Sequence, residues 1–88
     1  MGREEFIEKC KTIVKKYTIE HFEKIADIPE FDVLVVWYGR TTQDIKALLN
    51  TTLSDGMYYE ITYDGEKKEF CLNAYEKVEN KYISLEEE

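Results

Sequence analysis

Histidine and proline each occur once in these 88 residues, and cysteine only twice; each scarcity removes a class of explanation. His21 has no Ser or Cys motif beside it, so the nucleophile–base constellations of covalent catalysis have nothing to build on. Its place near an apolar helix stripe favours a structural role over that of a general base. Cys10 and Cys71 stand far apart and belong to no C-x-x-C or Cys/His ligand spacing, which predicts two buried thiols rather than a disulfide or a zinc site. The glycines lack the spacing of a phosphate-cradling loop, and the acids lack the order of a calcium loop. No apolar run approaches the roughly 18 residues of a membrane span, and Met1-Gly2-Arg3-Glu4-Glu5 leads directly into a charged amphipathic pattern. A cytosolic protein with no membrane contact is therefore expected.

Basic charge is also short. Twelve Lys and Arg face nineteen Asp and Glu, for a net charge of −7, which opposes direct nucleic-acid binding. The deficit is uneven: residues 57–88 hold nine acids and four bases, whereas residues 31–56 hold three and two. The centre is nearly neutral and carries Arg40 and Lys46.

What is abundant is patterned apolar residue. Phe6, Cys10, Ile13, Val14, Tyr17, His21, Phe22 and Ile25 recur at helical spacing, predicting a helix over 3–26. Pro29 blocks its continuation, and Phe31 to Tyr38 reads as a strand covered on both faces. Gly39 to Asp44 is a bend. Residues 45–53 form a second strand with Ile45, Ala47, Leu49 and Thr51 on one face. Ser54-Asp55-Gly56 suits a three-residue hairpin loop closing on a left-handed Gly, and Asp64-Gly65 suits a two-residue turn. That turn sets Tyr63 against Glu66, Ile61 against Lys68, Tyr59 against Phe70 and Met57 against Leu72, with Glu60 and Glu69 directly opposed on the other face. In the first hairpin Asn50 then neighbours Glu60, and Lys46 neighbours Asp64. Asn73 and Glu76 make a capping box ahead of Tyr75, Val78, Tyr82 and Leu85, predicting a last helix over 74–84.

The expected fold is therefore a single α+β domain over 1–85 with an acidic tail at 86–88. It is a four-stranded antiparallel sheet flanked by N- and C-terminal helices, in the order α-β-β-β-β-α. With both helices on one face, the other is left with Leu48, Tyr58 and either Val33, Val35 and Trp37 or Leu34, Val36 and Tyr38. Such a patch calls for a cover, most simply a second copy in a homodimer. The candidate binding residues are Trp37, Tyr38, Arg40, Gln43, Lys46, Tyr58, Tyr59 and Glu60, which combine aromatic faces with two cations, an amide and a carboxylate. No catalytic residue, metal or cofactor is expected.

The run "VVWYGRTTQDIKALLNTTLSDGMYYEITYDGEKKE", followed by "AYEKVENKY", resembles a family of small proteins of unknown function encoded by phages and prophages of Gram-positive bacteria. Trp37, Tyr38, Gln43, Lys46, Ala47, Leu48, Leu49, Asp55, Gly56, Tyr58, Tyr59, Glu60, Tyr63 and Gly65 match its pattern, while Arg40, Thr42 and Asp44 depart from it. The resemblance implies a non-enzymatic accessory protein that acts by occupying something in the host. Two actions fit. One is counter-defence, in which an acidic surface inhibits a host protein; the other is sequestration of a small nucleotide-like ligand between aromatics and cations.

Overall fold

The computed structural model describes residues 1–21 and 29–86. One helix, α1 (Arg3–His21), is followed by four strands: β1 (Val33–Arg40), β2 (Asp44–Thr51), β3 (Met57–Asp64) and β4 (Glu69–Glu76). They pair in chain order as an antiparallel meander. The first helix is thus as expected through His21, and positions 22–26 of the expected span lie outside the described residues.

The stripe of α1 buries Phe6, Cys10, Val14 and Thr18. It packs on Ile45, Ala47 and Leu49 of β2 and Tyr59 and Ile61 of β3, which complete the core. β2 is a strand with the face predicted for it: Ile45, Ala47, Leu49 and Thr51 are buried in strict alternation. Aromatic rings close the core toward the start of α1, where Phe6 stacks on Phe70 with centroids 6.2 Å apart and Tyr63 meets Phe70 at 4.8 Å.

β1 satisfies neither face assignment drawn from simple alternation. Val35 pairs with Leu49 and Trp37 with Leu48, so Val36 is an extra residue in a β-bulge. A bulge inverts the alternation downstream of it. Val33 and Val35 therefore share the helix side with Tyr38, while Leu34 and Trp37 share the outer side.

Both hairpins depart from the predicted register by an even number of residues. Gly56 has φ +71°, the left-handed closure expected, yet Asn50 pairs with Tyr58 and Lys46 with Thr62. In the β3–β4 turn the left-handed residue is Lys68, not Gly65. The Asp64 carboxylate accepts bonds from the backbone N–H groups of Glu66 and Lys67 at 2.9 and 3.1 Å, which organises a four-residue loop instead of a two-residue one. Tyr63 consequently pairs with Phe70, Ile61 with Leu72, Tyr59 with Ala74 and Met57 with Glu76. Because the shift is even, Met57, Tyr59, Ile61, Phe70 and Leu72 keep the face assigned to them. Glu60 and Glu69 do not oppose one another; their partners are Asn73 and Asp64. Gly65 serves a different purpose, since a Cβ there would lie 2.7 Å from the Gln43 carbonyl oxygen.

The predicted C-terminal helix is absent from the described residues. Asn73 to Glu76 are held in the ladder with β3, which removes the capping box, and residues 77–84 form no helix or strand. A helix of eleven residues depends on a surface for its stripe. Here that stripe has none, with Val78 and Tyr82 each 94% exposed. One helix, not two, therefore covers the sheet. Cys10 is buried as expected, whereas Cys71 is exposed.

Candidate functional site: the open sheet face

Opposite α1, the side chains of alternate residues form successive rows across the strands. Leu34, Asn50, Tyr58 and Tyr75 make one row, and Trp37, Leu48, Glu60 and Asn73 the next. Trp37 and Tyr75 are about half exposed, at 53% and 51%, and Leu34 is 47% exposed. The indole of Trp37 lies along the strand over Gly39, its neighbour two residues on. Beyond these rows, Lys46 approaches Glu60 at 4.0 Å, a partly exposed ion pair that orients both groups while contributing little stability.

The sheet then ends in acid. Asp44 pairs with Asp64, and Asp64 with Glu69, so three carboxylates stand abreast on the outer face. Like charges directly opposed are unfavourable. The two backbone N–H groups that Asp64 binds relieve part of the repulsion. Among the described residues no three His, Cys, Asp or Glu side chains converge as a metal site would require.

The eight predicted site residues divide between the two faces. Trp37, Lys46, Tyr58 and Glu60 come together on the outer one. Tyr38 and Tyr59 turn toward α1: Tyr38 meets the Phe6 ring at 5.9 Å and lies 5.3 Å beneath the Arg3 guanidinium, while Tyr59 is only 2% exposed. Burial raises the Tyr59 pKa, and a hydrogen bond with Thr18 partly offsets this. Arg40 also sits on the helix side, where its guanidinium donates to the Met1 carbonyl oxygen. Gln43 lies in the β1–β2 bend and accepts the Gly65 N–H through its backbone oxygen. The expected grouping of Arg40 and Tyr59 with Trp37 is thus not formed.

Sequence reasoning missed Tyr75, Asn73 and the acid row as parts of this surface. Tyr75 shares helical spacing with Val78, Tyr82 and Leu85, which hides its place in a strand. Asp44 and Asp64 were visible as outer-face residues only once Lys46 and Tyr58 had fixed the parity. Concavities lie elsewhere: a cleft of about 700 Å³ between α1 and the segment before β1 is lined by Lys15, Ile19, Phe31 and Thr52 among others. A second, of about 170 Å³, adjoins Arg40, Gln43 and Gly65.

Comparison with known proteins adds a family. The profile of a family of unknown function (DUF6275) matches residues 7–85. The chain belongs to this family. The matched span includes most of α1, the whole sheet and the segment after it. No curated protein and no solved structure matches the chain.

Proposed function

We propose that this member of the DUF6275 family is a non-enzymatic phage or prophage accessory protein that acts by binding, occupying a host protein through its outer sheet face. The observation that carries the reading is the uncovered pair of aromatic and aliphatic rows around Trp37 and Tyr58, bordered by the Asp44–Asp64–Glu69 row. Exposed aromatics set beside oriented charge are the composition of protein-docking surfaces. The acid row and the net charge of −7 suit a partner that is basic as well as apolar, such as the nucleic-acid-binding surface of a host defence protein. Counter-defence by occupying that surface is the biological role proposed here.

Sequestration of a nucleotide-like ligand has less support. Its cations and aromatics are split between the two faces, and the cavity beside Arg40, about 170 Å³, is smaller than the roughly 300–1,000 Å³ of small-molecule sites.

The test is retention of host proteins by the immobilised full chain, compared with Trp37→Asp/Leu48→Asp and with Asp44→Lys/Glu69→Lys. The proposal expects a discrete basic protein that the first variant fails to retain and that the second retains only weakly. It also expects retention by the unaltered chain to fall with salt. Equal retention by all three proteins would overturn it.

A further inference from the structure

The outer face is not the only apolar surface of this chain without a cover. Residues 77–86 continue from β4, and they carry Val78 and Tyr82, each 94% exposed, with Ile83 and Leu85 also largely exposed. The total accessible surface, polar and apolar together, is also large. The chain exposes 7108 Å², whereas a compact monomer of 10.5 kDa exposes about 5,400 Å². The difference is roughly 1,700 Å² per chain, which over two chains reaches the roughly 2,000–5,000 Å² buried by obligate homodimers.

The segment and the face are also chemically matched. Lys77 and Lys81 accompany its apolar residues, interleaved with Glu79 and Glu86 so that the segment is neutral overall, while Glu60 and the row of three carboxylates accompany the aromatic rows; the match is between its two lysines and those carboxylates, not of net charge. Exposure separates the two ways of joining them. The Lys77 N–H bonds to the Gly56 carbonyl oxygen at 2.8 Å, prolonging the β3–β4 ladder by one residue, and beyond it Val78 and Tyr82, each 94% exposed, do not pack on the chain's own sheet. Ten extended residues reach about 33 Å, and the four strands span roughly 15 Å. The segment of one copy is therefore long enough to cross the face of another.

We propose that the outer face of one copy is covered by residues 77–86 of a second copy, reciprocally about a two-fold axis, with the lysines of the segment directed to the carboxylates of the face. The proposal rests on the reading of the outer face as the binding surface and names its resident partner. A host protein that presents lysines or arginines among apolar residues would compete with the segment for the same rows.

The full chain carries the reporter it needs. Cys71 is exposed on the outer side of β4, and Cys10 is fully buried with its pKa pushed up to about 12, which withholds it from thiol reagents. In Ser84→Cys, a short bis-maleimide should join Cys71 of one chain to the new thiol of another, giving a covalent dimer. Sedimentation of the unaltered protein should show two subunits. Adding Val78→Asp and Tyr82→Asp, both outside the core, should reduce the covalent dimer about tenfold or more and yield monomers. A cross-link confined within single chains, a monomeric unaltered protein, or a dimer indifferent to the two Asp substitutions would each overturn the proposal. The wider reading fails separately, when Trp37→Asp/Leu48→Asp leaves host-protein retention unchanged.

Discussion

The indole of Trp37 occupies the space that a side chain at position 39 would need: a Cβ built on Gly39 lies 2.5 Å from Trp37 Cη2. The glycine lets the largest exposed ring of the open face lie flat along β1 instead of standing into solvent, which keeps the aromatic rows low enough for a partner to pack on.

Gly39→Val should therefore displace the ring. The indole is half exposed and free to move outward, and valine suits a strand better than glycine, so the fold should survive. The near-ultraviolet circular dichroism of Trp37 should collapse and its emission shift to longer wavelength, with the melting temperature changed by a few degrees at most. An unchanged tryptophan spectrum would show that the ring does not lie over Gly39 in solution.

The two thiols should behave as opposites. One thiol per chain, Cys71, should react in the native state, and the second only on unfolding. Burial raises the Cys10 pKa from 9.0 to about 12, so the folded state holds this proton more tightly than the unfolded chain does. Stability from this source is complete below pH 9 and is lost as pH climbs from 9 toward 12. Tyr59, its pKa also raised by burial, adds a loss of the same sign above its ordinary value of 10. Chemical denaturation across this range should show a falling midpoint, less steep in Cys10→Ala. Equal slopes in the two proteins would exclude the thiol as a source of the alkaline loss.

Face assignments were more legible in the sequence than pairings. Period-two alternation told β2 which side to bury, and the turn at Asp64 told β3 and β4. An even register error leaves those assignments untouched, so the core was readable although Glu60 was matched with the wrong residue. The bulge at Val36 was not readable, because an apolar run looks the same with or without an extra residue, and with it went the placement of Trp37 and Tyr38. The C-terminal stripe fails for a different reason. Val78, Tyr82 and Leu85 do have helical spacing, but spacing supplies only one side of a packing contact, and the described chain does not provide the other.

Gly65 should tolerate no side chain cheaply. A Cβ there meets backbone, the Gln43 carbonyl oxygen at 2.7 Å, and the Gly65 N–H bonds to that same oxygen at 3.1 Å. Gly65→Ala must push the β1–β2 bend away from the β3–β4 turn. A loss of about 1–3 kcal/mol in denaturant unfolding is expected, together with faster amide exchange at position 65. Wild-type stability in this variant would mean that the two turns are not in contact.

Asn50 offers a gain in stability at the face itself. Its Oδ1 is buried without a hydrogen-bond partner on the row it shares with Leu34 and Tyr58, and a buried acceptor left unpaired costs about 1–3 kcal/mol. Asn50→Val removes that acceptor, adds a residue favoured in strands, and extends the apolar row without touching the core side of β2. The melting temperature should rise by several degrees. Because the buried oxygen is out of an occupant's reach, partner retention should persist or strengthen in the variant. A melting temperature that does not rise would show that this acceptor is paired in solution.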